Sequence, residues 1–94
     1  MGFRYNWDSL TRHKVTALEV RQVLADIHAK EEYLDEPSER GNPRSVTVGK
    51  TEADRTLEIF IEYMEDECDE DIINVYHSES ASDWAREFTG YGTA

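Results

Sequence analysis

Arg55-Thr56-Leu57-Glu58-Ile59-Phe60-Ile61-Glu62-Tyr63-Met64 is the stretch on which the fold reading turns. Leu57, Ile59, Ile61 and Tyr63 alternate with Glu58, Phe60 and Glu62. Period two puts the first four side chains on one face of a strand and the acids on the other. The stretch is flanked by turn segments at Thr51–Asp54 and Glu65–Asp71. Beyond them lie two further β-rich runs, Arg44–Lys50 with Val46 and Val48 at strand spacing, and Ile72–His77. Connections this short favour hairpins, so the three runs are expected to pair antiparallel.

Working outward, Glu31–Pro43 is polar and holds Pro37, Gly41 and Pro43. It reads as a loop, with Tyr33 and Leu34 able to form a short edge strand. Upstream, Thr16 and Glu19 have capping-box spacing, and Val15 and Val20 occupy the staple positions. Val20, Val23, Leu24 and Ile27 then form an apolar stripe, so a helix is expected over 16–29. Phe3, Tyr5 and Trp7 alternate with Arg4 and Asn6, which suggests a strand, and Asp8–Lys14 suits one or two helical turns. At the other end, Ser80 or Ser82 can cap a last helix. Its Ala81, Trp84, Ala85 and Phe88 have helical spacing and Gly90 ends it. This helix is expected to lay Trp84 and Phe88 on the sheet, and the tail 90–94 to fray. Trp7 and Tyr33 are likewise expected in the core or at its rim.

The reading is therefore one α+β domain over 1–94: N-terminal helices, a three- to four-stranded antiparallel sheet and a C-terminal helix. The chain has 94 residues, too few for a second core. Its formal net charge is -11, from 10 basic and 21 acidic residues. That charge argues against a general nucleic-acid binder and against an anionic membrane surface. The imbalance is uneven: residues 1–30 carry five basic groups against three acidic, so an anion-facing surface must come mainly from this third. No apolar run is long enough for a membrane span, and MGFRYNWDSL lacks the apolar centre of a signal peptide. The single cysteine, Cys68, excludes an intrachain disulfide and a cysteine zinc cluster. A soluble, cytoplasmic protein without membrane partner is expected.

The order of short motifs resembles the BrnT-type toxin family, small RelE-like proteins. Phe3-Arg4-Tyr5-Asn6-Trp7 is followed by Arg12-His13-Lys14-Val15-Thr16, similar to the family's Lys-His-Gly-Val run. Glu19-Val20 and Val23-Leu24-Ala25-Asp26 resemble its first long helix. Arg44 to Gly49, Thr51 and Arg55-Thr56-Leu57 are similar to its Arg-to-Gly-to-Arg-x-Leu hairpin, and Ile73-Asn74-Val75-Tyr76 and Ala81 lead to a terminal helix. The resemblance covers about residues 3–90 and implies a RelE/BrnT-like fold and a toxin that cleaves RNA and is held by an antitoxin. Two positions depart from the family pattern. Glu79 stands where its third strand ends in arginine, and Ala85 where its terminal helix carries glutamate.

RNA cleavage develops negative charge that fixed cations stabilise, and a carboxylate in place of a guanidinium reverses that field. The function expected is thus a BrnT-toxin-like acidic protein that has lost ribonuclease chemistry and acts through a protein partner, antitoxin-like or other. The alternative is an RNA-cleaving toxin using Arg12, His13, Lys14, Arg44 and Arg55, with Lys50 adding to the patch. A third reading is an acidic mimic of nucleic acid that blocks a basic surface elsewhere.

His13, between Arg12 and Lys14, has the surroundings of a general acid/base whose proton affinity two cations lower. The plainer reading, a helix-end histidine that caps carbonyls or packs on a ring, is preferred. His77 beside Tyr76 can form an acid/base pair, but a sheet-face pair is preferred here too. Glu58 and Glu62 are read as a solvated or partner-facing sheet surface. Glu65–Asp71 carries six acids in seven residues without EF-hand spacing, so it reads as a solvated hairpin loop. Cys68 within it is a poor nucleophile among anions. No phosphate loop, nucleophile elbow or His-Glu-x-x-His occurs, and neither cofactor nor metal is expected.

Overall fold

The computed structural model describes residues 2–89, with side chains as far as 87. The elements in order are β1 (Gly2–Tyr5), α1 (Trp7–Arg12), α2 (Ala17–Ala25), β2 (Lys30–Tyr33), β3 (Arg44–Lys50), β4 (Thr56–Glu65), β5 (Asp71–Ser80) and α3 (Asp83–Thr89). The strands form one sheet in the order β1-β5-β4-β3-β2. β2, β3, β4 and β5 pair antiparallel, whereas β1 lies parallel to β5.

The expected architecture, N-terminal helices followed by a three- or four-stranded antiparallel sheet, is therefore corrected. Among the described residues the sheet has five strands and is mixed, the strand suggested by Phe3, Tyr5 and Trp7 joins it as β1, and all three helices are short. The reason is topological. The inner strands join through tight turns, Thr51 to Arg55 and Asp66 to Glu70, and such turns dictate antiparallel pairing. β1 has no such neighbour: Gly2 pairs with Ile72 and Tyr5 with Val75, at the far end of the chain. Nothing local in sequence specifies a partner so distant.

The alternation in β4 sorts its side chains onto two faces. Leu57, Ile59 and Ile61 join Leu10, Val15, Val20, Val23 and Val75 in the larger core, under α1 and α2. On the opposite face, Val46, Val48 and Ala85 form a second cluster with Leu34, Phe60 and Ala81 beneath α3. Gly49 lets β3 approach α2 and the turn after it, since a Cβ there would come within 3.1 Å of Val23 Cγ1 and 2.9 Å of Ala29 Cβ.

Glu58 and Glu62 do not face solvent as expected. Each is 4% exposed, because α3 and the loop of residues 35–43 cover their face. Glu58 accepts a 2.5 Å hydrogen bond from Ser82 N, at the start of α3. Glu62 accepts from Ser38 Oγ (2.5 Å), Asn42 Nδ2 (2.9 Å), Arg40 Nη2 (2.9 Å) and Asn74 Nδ2 (3.2 Å). Burial raises its pKa, but those four donors outweigh burial and hold the carboxyl at about 2.

The capping box of α2 forms as its spacing predicts, with Thr16 and Glu19 bonding each other reciprocally. The helix stops at Ala25 rather than running to 29. Asp26 caps it and accepts from Lys50 N and His28 N, which turns the chain and leaves Ile27 exposed. Ser82, not Ser80, caps α3 by accepting from Ala85 N at 3.2 Å. Among the described side chains of α3 it is Ala85 that is buried, while Trp84 stays exposed, as do Trp7 and Tyr33. The Phe88 side chain, Gly90 and the tail lie outside the described residues. No helix of the described residues is long and apolar enough to cross a membrane.

Candidate functional site

The site is built where β1 ends and α1 takes over its place beside β5. Asn6 N still donates to Val75 O at 2.9 Å, and then Asn6 caps α1 through its side chain. The helix runs alongside the second half of β5 and delivers Ser9 and, at its C-cap, His13. Lys14 reverses the chain with φ 55, and Val15 N closes back on Leu10 O at 2.9 Å.

Strand β5 supplies the rest through a bulge. Its register with β4 runs Phe60 opposite His77 but Ile61 opposite Val75, so Tyr76 is an extra residue. Without it, strict alternation would turn His77 toward the apolar core under α1 and α2. With it, both the Tyr76 and His77 rings contact Phe60, at 6.2 and 5.4 Å between centroids. A bulge re-aims side chains in this way, and here it gives His77 a polar setting.

In that setting His77 also meets Ser9, Glu79 and His13. Its Nδ1 lies 2.9 Å from Ser9 Oγ and its Nε2 3.0 Å from Glu79 Oε2. The His13 ring stands edge-on to it at 4.8 Å. Ser9 is buried, while His13, His77 and Glu79 are each half-buried. One tautomer satisfies both ring nitrogens: Nε2–H donates to Glu79 and Nδ1 accepts from the Ser9 hydroxyl. Hydroxyl, imidazole and carboxylate thus stand in a row, as in a nucleophilic triad. Ser9 is only 5% exposed, however, so its oxygen has no open approach for an electrophile. The chemistry available is binding and proton transfer at His13, His77 and Glu79.

The five residues named for RNA cleavage are only partly brought together. Arg12 is in the last turn of α1 and exposed. Arg55 reaches the same end of the molecule, where Nη2 donates to His13 O at 3.2 Å and Nη1 to Lys14 O at 2.7 Å. Its charge is met by Glu19 at 3.3 Å. Burial works to raise the Glu19 pKa, but hydrogen bonds from Thr16 and Arg55 and the Arg55 charge bring it below the ordinary carboxylate value.

Arg44 is elsewhere. It starts β3 opposite Glu62, whereas Lys50, at the other end of β3, pairs with Thr56. Seven residues of strand separate these ends by roughly 20 Å. Arg44 donates twice to Glu36 O, at 3.2 and 3.0 Å, and so fastens the loop of residues 35–43. Lys50 is 3.4 Å from Asp54. Tyr76, expected to pair with His77, turns instead to an open pocket of about 390 Å³ lined by Ser38, Glu39, Arg40, Arg44 and Glu62.

Sequence reading singled out His13, His77 and Glu79 but not their convergence, and it missed Ser9. His77 and Glu79 share a strand face at i, i+2, which was a usable signal. Ser9 carries none, because its role follows only from where α1 docks. No protein-family model matches the chain, and no curated protein does.

Proposed function

We propose that this chain is a BrnT-toxin-like acidic protein that has lost ribonuclease chemistry and acts in the cytoplasm by contact with a protein partner. The observation that carries the reading is the carboxylate of Glu79, 3.0 Å from His77 Nε2, at the position where the resembling family carries arginine. A scissile phosphate brought to His77 would meet that negative charge, the reverse of what its transition state needs. The cations support the same reading. Arg55 is taken up by Glu19 and two carbonyls, and Arg44 sits at the other end of β3. The resemblance itself gains support from Lys14, whose φ of 55 is the left-handed conformation that suits the glycine of the family's Lys-His-Gly-Val run.

The exposed aromatic residues Trp7, Tyr33 and Trp84 are the kind that anchor protein contacts. Expression without any antitoxin is expected to leave growth and messenger RNA intact, and pull-down from the native host to recover a stoichiometric protein. Growth arrest with cleaved messenger RNA would overturn the proposal in favour of an active toxin.

A further inference from the structure

We infer that His13, His77 and Glu79 form a binding site for one divalent transition-metal ion of the zinc class, with Ser9 as the residue that orients His77. The ligand atoms come from three places that only the fold unites: the C-cap of α1, and alternate positions of β5 beyond its bulge. All lie within 4.8 Å of one another, and all three residues are half-buried. The metal site does not rest on the protein-partner reading, although both use the His77–Glu79 pair.

Geometry and donor chemistry both fit a metal. Bonds of about 2.0–2.2 Å to nitrogen and oxygen place tetrahedral ligands about 3.3 Å apart. His77 Nε2 and Glu79 Oε2 stand at 3.0 Å, so that pair needs to open only slightly. The His13 ring, edge-on to His77, closes the third side by rotation about its side-chain torsions. Two imidazoles and one carboxylate suit zinc, cobalt, nickel or copper, and not calcium or magnesium, which take all-oxygen sets. Three protein ligands leave a fourth position for water or an incoming group.

The outer contact of His77 is of the kind metal-bound histidines use. With Nδ1–H donating to Ser9 Oγ at 2.9 Å, the Nε2 lone pair is free to face the ion beside Glu79. Such an outer partner fixes tautomer and ring plane. When the metal leaves, the proton moves to Nε2 and bonds Glu79, and the Ser9 hydroxyl turns from acceptor to donor. A chain of net charge -11 also concentrates cations near its surface. The Arg55 guanidinium, which donates to His13 O, has its charge met by Glu19 at 3.3 Å.

The test uses the full, tag-free chain titrated with Co²⁺ and then Zn²⁺, following the visible d–d bands and the heat of binding. One equivalent is expected to bind with tetrahedral or five-coordinate Co²⁺ bands that Zn²⁺ abolishes. His13→Asn, His77→Asn and Glu79→Gln should each weaken binding at least about tenfold, and Ser9→Ala about tenfold through loss of orientation. Zn²⁺ should raise the Tm of the parent chain by more than that of Glu79→Gln at the same concentration. His13 and Glu79 lie outside both apolar clusters, so their variants keep the test decisive should His77→Asn fail to fold. Equal affinity in parent, His13→Asn and Glu79→Gln would overturn the inference. So would octahedral bands alone, or binding lost only when Asp66 and Asp69 of the acidic turn become Asn.

Discussion

A buried carboxylate shows how a single residue ties the sheet to its covering loop. Glu62 gathers donors from Ser38, Arg40 and Asn42 of the loop and from Asn74 of β5. Its pKa of about 2 lies below the ordinary 4.5, so the folded state binds the proton less readily than the unfolded chain. The stability this contributes is fully present above pH 4.5 and is lost as pH falls from there toward 2. Glu62→Gln should lower stability at neutral pH by on the order of 2 kcal/mol and flatten the acid limb of a pH–Tm profile. An unchanged acid limb in the variant would remove Glu62 as its source. Elsewhere in the same sheet, Ser78 is fully buried and its Oγ has no hydrogen-bond partner among the described residues, so this hydroxyl contributes desolvation without compensation.

At the level of elements, the α1–α2 connection and the β5 bulge decide the candidate site. Lys14 ends α1 in the left-handed region at φ 55, which costs a residue with a Cβ about 1 kcal/mol relative to glycine. Lys14→Gly is therefore expected to raise the denaturant midpoint at unchanged slope, equivalent to about 0.5–1 kcal/mol. A lowered midpoint would mean that the lysine side chain contributes more than its backbone strain costs. The helix α2 was legible in sequence because cap, staple and stripe all lie within one short window. Its early end was not, because Asp26 stops it by bonding Lys50 N across the fold. The bulge was equally hidden. Ile72–His77 reads as an even β-run, and only pairing with β4 reveals that Tyr76 is extra. The burial of the β4 acids is hidden for a related reason, since alternation identifies the polar face of a strand but not what packs over it.

On the scale of the whole molecule, 21 acidic against 10 basic residues leave a self-repelling surface. Raising salt from low to physiological strength should increase the Tm by a few degrees, as screening shortens the reach of that repulsion to about 8 Å. A Tm that falls with salt would show that ion pairs such as Arg55–Glu19 outweigh the net charge. The same charge and the scattering of Arg44 from Arg55 support a protein over a polyanion as partner. By itself the sequence determined the inner strands, the antiparallel hairpins and the capped α2. Each of these rests on periodicity or turn chemistry confined to neighbouring residues. Tertiary structure alone decided that β1 lies parallel to β5, that Glu58 and Glu62 are covered, and that Ser9, His13, His77 and Glu79 meet. Those outcomes depend on which surfaces dock across most of the chain's length, and no local pattern of residues encodes such a distance.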